Sequence, residues 1–292
     1  MWLPPDIVKQ TSTAPTRLLV ALKGVKWGGW SLIALYVSLL SGVIVGLQYD
    51  YSTPYHSATS IDLLAPFGSF FRSLHFFSSQ FFFFFSCIHL IAIYNKTEKL
   101  SPTEWTKLIG TLPLIILLLF TGYILRGDNT GSSAGLIAEN IVLAIPLAGE
   151  AINSLLFSIT DSGLRKVYLH HVITLDLLLL ILVWNHLRIY RIFLRDYYGL
   201  IAATLLFCLW LPAPFDPDLL GITYISGPWF FLGLQELLRY FPVLIAGFFL
   251  PLIFFLGLLA IHPARKKSHY FILLTGAWLL AYSLFSCLAW FR

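Results

Sequence analysis

The sequence predicts an all-α integral membrane bundle of about seven transmembrane helices, and three observations predict it. Of the 292 residues, 58% are hydrophobic and only 11% charged, against about 25% charged in an ordinary soluble domain. Long uncharged runs recur along the chain. The basic residues collect on alternate connections between those runs.

The runs are taken in order as spans A to G. A bilayer crossing needs about 20 consecutive apolar residues. Span A covers 28–48, with no charge before Asp50. Span B covers 73–95 and ends at Lys96, and span C covers 108–125 and ends at Arg126. Span D covers 167–185 with one charge, Asp176. Spans E (200–211), F (241–261) and G (268–291) are uncharged. Span E is the shortest, because Pro212 and Pro214 close it. Lys9, Arg17, Lys23 and Lys26 precede span A, but no small-residue cleavage site follows a short apolar core. Span A is therefore expected to stay in the membrane rather than act as a signal peptide.

The net charge of +5 reads through topology. One set of connections holds Lys9, Arg17, Lys23, Lys26, Lys96, Lys99, Lys107, Arg188, Arg191, Arg195, Arg265, Lys266 and Lys267, which is 13 of the 19 basic residues. The opposite set holds Arg72, Arg126, Arg165, Lys166, Arg239 and Arg292. The positive-inside rule places the first set and the N-terminus in the cytoplasm or its equivalent, and an odd span count places the C-terminus on the other side. The charge thus falls where a bacterial inner membrane or an organelle energy-transducing membrane wants it, and no nucleic-acid role is expected.

Three connections are more than tethers. Residues 50–72 join A to B. Residues 126–166 join C to D and contain an apolar stretch broken by Glu139, Asn140, Pro146 and Glu150, which predicts helices lying along the surface. Residues 211–240 join E to F and run through Gly227-Pro228-Trp229-Phe230 into an amphipathic piece. Loops longer than about 15 residues are usually functional or disordered, and the aromatic content of these two favours function. Cys87, Cys208 and Cys287 lie inside apolar spans and have no metal or haem-attachment spacing, so they read as small core residues.

The histidines carry the chemistry. His75 and His89 on span B are 14 residues apart; at 100° per residue this falls about 40° short of four turns, so both leave one helix face roughly 21 Å apart. On span D, His171 and His186 are 15 apart and share a face to within about 60°. His170 lies about 160° from His186, so regular geometry selects His171. Two helices that each offer imidazoles at matched depths can clamp two stacked haems, giving low-spin iron suited to one-electron transfer. The bland alternative, four satisfied core histidines, requires four costly intramembrane side chains with no function.

At these residues the sequence resembles the cytochrome b family of bc-type quinol:cytochrome c oxidoreductases. The resemblance rests on Arg72-Ser-Leu-His75 with His89, Gly122-Tyr-Ile-Leu, Ala144-Ile-Pro-Leu, His171 with His186, and Trp229-Phe-Phe-Leu. The spacing on D is similar to the chloroplast-type branch, with its two parts fused here as a dihaem four-helix bundle at 1–196 and a three-helix part at 197–292. The resemblance implies two haem b groups as cofactors, the outer on His75 and His171 and the inner on His89 and His186. It implies that Arg72 pairs with an outer haem propionate, with an interface anchor as the alternative. It implies that Gly28, Gly42 and Gly122 let the haems approach the backbone, with small-residue helix packing as the alternative. Position 108, where a further glycine is expected, is Leu, and Gly110 is the nearest substitute. No cysteine precedes Cys87, so a third, covalently tied haem is not expected.

The departures concern the outer quinone site. The family's Pro-Glu-Trp-Tyr is Gly227-Pro228-Trp229-Phe230 here, and its Leu-Pro-Trp after span C is Leu125-Arg126-Gly127. A base must lie within hydrogen-bond reach of its proton, and Asp128, Glu139, Asp216, Asp218 and Glu236 are all candidates. Asp176 stands where the family commonly has Pro; regular helix geometry puts it about 140° from His171, turned away from the haems. A proton path and a packing role are both open to it. Arg188, Arg191 and Arg195 could hold inner propionates or serve as anchors.

The expected function is transmembrane electron transfer by a subunit of a respiratory or photosynthetic complex. It exchanges electrons with membrane quinone and with iron–sulfur or multihaem c-type partners, and a second copy of the chain is within the expectation. The alternatives are a dihaem anchor of another oxidoreductase with one quinone site and, in a different class, a haem-free transporter or scaffold.

Overall fold

In lipid every backbone N–H and C=O must be bonded inside its own segment, so an apolar crossing has to be helical or part of a closed barrel. The computed structural model describes residues 25–217 and 225–292, and among these there is no strand. Lys9, Arg17, Lys23 and Asp218 lie outside the described residues.

Span A is α1 (Trp27–Gly46). The A–B connection forms α2 (Pro54–Leu64), which opens with a proline whose missing N–H costs a helix start nothing. Span B is α3 (Gly68–Ile93), prolonged by a 3-10 turn at Tyr94–Lys99. Span C is α4 (Pro102–Leu125), opened by a capping box in which Ser101 and Glu104 satisfy each other's backbone N–H groups. The C–D connection is helical, as expected: α5 (Asn129–Leu143), α6 (Gly149–Leu156) and a short α7 (Ile159–Ser162). Span D is α8 (Arg165–Leu169), a π turn at His170–Thr174, and α9 (Leu175–Leu187). Span E is α10 (Tyr198–Trp210). The E–F connection carries α11 (Leu232–Leu237); span F is a π turn at Ile245–Phe249 followed by α12 (Leu250–Ala260); span G is α13 (Ser268–Trp290).

Five of these helices are long and apolar enough to cross a membrane, namely A, B, C, D and G. Spans E and F are helical where expected but shorter. The 13 residues of α10 rise only about 20 Å.

α1 packs along α3, α4 along α9, and α13 against α11 and α12. Leu32, Leu35, Ile115 and Leu179 join A, C and D in the bundle middle. A second core lies at the outer end: Phe120, Ile124 and Leu125 of C meet Ala134 and Ala138 of α5, Val167 of D and Phe231 of the E–F connection. Ile181, Leu209 and Leu280 stay exposed, as lipid-facing side chains should. Cys208 is buried against the Ser73 carbonyl, whereas Cys287 is exposed and so is not a core residue.

The outer connections are fastened by polar contacts. Gly127 turns the chain after span C with φ of +67°, and a Cβ there would lie 2.6 Å from Pro54 and the Tyr55 nitrogen, so glycine is required twice over. The Asp128 side chain then caps α5 through the Gly131 N–H. Burial pushes the Glu139 carboxyl up, but hydrogen bonds from Thr160 and Asn153 outweigh it and hold the group below its usual value. A depressed carboxylate stabilises the fold above its unfolded pKa, near 4.3, and that stability is lost as pH falls through the lower folded value. Thermal melting in detergent should therefore show a loss on acidification below about pH 4.3. Glu139→Gln should flatten that loss and cost about 1–3 kcal/mol at neutral pH.

Candidate functional site

The four histidines meet in two pairs. His75 on α3 faces His171 with ring centroids 6.0 Å apart. His89, lower on α3, faces His186 on α9 at 6.1 Å. A metal–imidazole bond of about 2 Å on each side, plus about 1 Å from each ring nitrogen to its ring centre, gives about 6 Å. Both pairs therefore have the spacing of two imidazoles on opposite sides of one metal. Among the described residues no group of three or more His, Cys, Asp or Glu could hold a bare ion. Two facing imidazoles suit a planar macrocycle that brings its own equatorial ligands.

The outer pair is oriented by its second neighbours. The Ser38 carbonyl lies 2.9 Å from His75 Nδ1 and is an acceptor only, so Nδ1–H donates to it. Thr121 Oγ lies 2.9 Å from His171 Nδ1 while its own hydroxyl donates to the Leu117 carbonyl, so here too Nδ1–H is the donor. This assignment leaves Nε2 of each ring as the free lone pair, the usual arrangement of a metal-binding imidazole. A cavity of about 580 Å³ opens beside these rings, lined mostly by apolar side chains of A, B, C and D with Arg72, Arg126 and Asp176. Its size suits a cofactor.

Three glycines lie against imidazoles. A Cβ on Gly42 would sit 2.8 Å from His75, one on Gly28 2.9 Å from His89, and one on Gly122 3.1 Å from His171. They seat the histidine rings against backbone, which is more specific than small-residue helix packing. Gly110 has only Leu182 near it, so it replaces nothing at the inner pair.

The π turn explains two features that regular geometry leaves unresolved. An i→i+5 turn holds one residue more than an α turn, which removes about 100° of rotation from everything beyond it. His171 and His186 then differ by about 40° instead of 60°. The 15 residues of D climb about as far as the 14 of B, so the pairs meet at equal depth. His170 instead bonds the Leu155 carbonyl at an exposed position. The same turn corrects the expectation for Asp176: its offset from His171 falls from about 140° to about 40°, and it lines the outer cavity.

Arg72 has a protein partner in the structure. Its guanidinium is bidentate to Asp62, at 2.6 and 2.5 Å, and reaches the Ala213 and Pro214 carbonyls. It lines the cavity but already has a protein carboxylate. Sequence reasoning missed Asp62, ten residues ahead of Arg72 on a different helix, because no short-range pattern links them.

The E–F loop docks on the bundle. The Trp229 indole donates to Gln80 at 2.9 Å and stacks on Phe84, and Phe230 meets Tyr123 edge to face. Gly227 N–H donates to Gln235, which reaches back to Ile225. Gly227, Pro228, Trp229 and Phe230 lie beside the outer cavity's helices but do not line it. Asp128 and Glu139 are engaged inside the protein, Asp128 with Arg126 and Glu139 with Asn153 and Thr160, whereas buried Glu236 meets Arg292 and Tyr240 through Oε1 and leaves Oε2 without a hydrogen-bond partner. Asp216 accepts from Thr130 but keeps 37% of its side chain exposed. Arg188, Arg191 and Arg195 are exposed.

Comparison with known proteins agrees with this architecture. The family described as Cytochrome b/b6/petB matches residues 18–194. The chain is 26% identical over 173 residues to a cytochrome b6 of Heliomicrobium gestii, covering 56% of this chain and 81% of that protein. It is 25% identical to the menaquinol:cytochrome c reductase cytochrome b subunit of Geobacillus thermodenitrificans, covering 56% and 77%. To a cytochrome b of Micropechis ikaheca it is 25% identical over 282 residues, covering 83% and 75%. A chain of a hyperthermophilic respiratory Complex III shares the fold, with a TM-score of 0.64 and 21% identity over 90% of this chain and 82% of the other. The chain belongs to the cytochrome b/b6 family, whose members carry two b haems and transfer electrons across a membrane.

Proposed function

We propose that this chain is the electron-transferring cytochrome b subunit of a quinol:cytochrome c oxidoreductase-type complex. His75 and His171 hold the outer haem, and His89 and His186 the inner one. The observation that carries this is the ring spacing of 6.0 and 6.1 Å in two pairs shared by the same two helices. When bound, each haem supplies a one-electron iron couple tuned by burial and hydrogen bonding. The chain's own residues do the rest. Ser38 and Thr121 hold the outer imidazoles in one tautomer, and Gly28, Gly42 and Gly122 give the rings room. The apolar cavity keeps the water that would reorganise around a changing charge away from the site.

The family match ends at residue 194, which supports a division into a dihaem bundle at 1–196 and a three-helix part at 197–292. The basic connections support a cytoplasmic or equivalent N-terminus and an opposite C-terminus. The partners follow from the chemistry: membrane quinone beside the Gly227–Phe230 loop, iron–sulfur or multihaem c-type proteins on the outer side, and a second copy of the chain. Among the candidate bases described, Asp216 is the one that keeps substantial exposure and is favoured as the proton acceptor of the outer quinone site.

A dithionite-reduced spectrum with a pyridine haemochrome assay should give two b haems per chain; the absence of a b band would remove the function. His171→Ala and Gly42→Val should each lose one haem and keep the other, whereas His170→Ala should keep both. Quinone-site inhibitors should shift one of two resolved potentials in a redox titration, and a titration indifferent to them would remove the quinone partner alone. Asp216→Asn should lower quinol oxidation about 10²–10⁴-fold if this carboxylate is the base, and an unchanged rate would exclude it.

A further inference from the structure

Arg126 is the basic residue at the outer cavity whose hydrogen bonds are least complete. It follows span C directly, where the family has proline, and is only 8% exposed. One terminal nitrogen pairs with Asp128 and lies 3.7 Å from Asp216, beyond hydrogen-bond distance. The guanidinium sits over the Tyr123 ring at 5.0 Å. Its Nε is buried with no hydrogen-bond partner, although buried donors are nearly always satisfied. Arg126 also lines the same cavity as His75 and His171.

The neighbouring acids do not account for that open donor. Asp128 is held as the cap of α5 by the Gly131 N–H and also accepts from the Asp216 N–H. Asp216 is taken up by the N–H and hydroxyl of Thr130. Arg72, on the same cavity, is already bidentate to Asp62. Of the two guanidinium groups that line the cavity, Arg126 is therefore the one with a buried donor left unpaired.

Resting on the haem reading above, we infer that Arg126 takes a propionate of the outer haem and, opposed by Asp216, sets that haem's reduction potential. A fixed cation near the iron favours the reduced form and raises the potential, and a fixed anion lowers it. The two residues should therefore act with opposite signs. A merely structural role, in which breaking their contact loosens the outer end of the bundle, would move the potential the same way for both.

The test is an optical redox titration of membranes carrying the full chain, unaltered and with Arg126→Gln, Arg126→Lys and Asp216→Asn. Arg126→Gln should lower the outer haem midpoint by about 60 mV, a roughly tenfold change in its one-electron equilibrium, and leave the inner haem in place. Arg126→Lys should lower it less, and Asp216→Asn should raise it. An unmoved outer midpoint in Arg126→Gln, or shifts of one sign in Arg126→Gln and Asp216→Asn, would overturn the inference while two intact b bands leave the haem reading standing. If Arg126→Gln sheds the outer haem, the other two variants decide: a smaller fall with lysine and a rise with asparagine support it, and any other pair of shifts overturns it. Absence of both b bands from the unaltered chain overturns the haem reading and this inference together.

Discussion

The rest of the structure depends on two pairs of imidazoles held opposite one another between two helices. Nothing within lipid rewards a histidine, so each must be oriented by a neighbour or a ligand. For the outer pair the neighbours are the Ser38 carbonyl on span A and the Thr121 hydroxyl on span C. B and D carry the rings, while A and C hold the far nitrogens of the outer pair. Gly28 and Gly42 on A and Gly122 on C follow from this, since a Cβ at each would lie 2.9, 2.8 and 3.1 Å from a histidine ring.

Much of this was legible in the sequence because it depends on short-range periodicity. Uncharged runs gave spans A, B, C, D and G with small boundary differences, and the 14-residue interval on B placed His75 and His89 on one face. The C–D connection announced its separate helices through the polar breaks at Glu139, Asn140, Pro146 and Glu150. The resemblance to the cytochrome b family supplied the pairing across helices, which no interval can give.

What remained hidden depends on local distortion or distant contact. The π turn at His170–Thr174 has no residue signature, so regular geometry turned Asp176 away from a cavity it lines. His171 was chosen on a regular-helix angle, but contact with Thr121 and apposition to His75 distinguish it from His170 in the structure. Arg72 matched a familiar motif, yet its carboxylate partner lies on α2. Asp128, Glu139 and Glu236 look alike as free acids in a sequence; only their burial against Arg126, Thr160 and Arg292 separates them from Asp216.

A one-residue insertion in a membrane helix ordinarily turns everything downstream by about 100°. The wide turn in span D absorbs such a surplus within five residues, and the side chains beyond it keep their facing. Unequal intervals on the two haem-bearing helices are therefore no sign of a broken site. A search pattern that demanded the same interval on both would pass over this chain, and over any relative that hides its extra residue the same way.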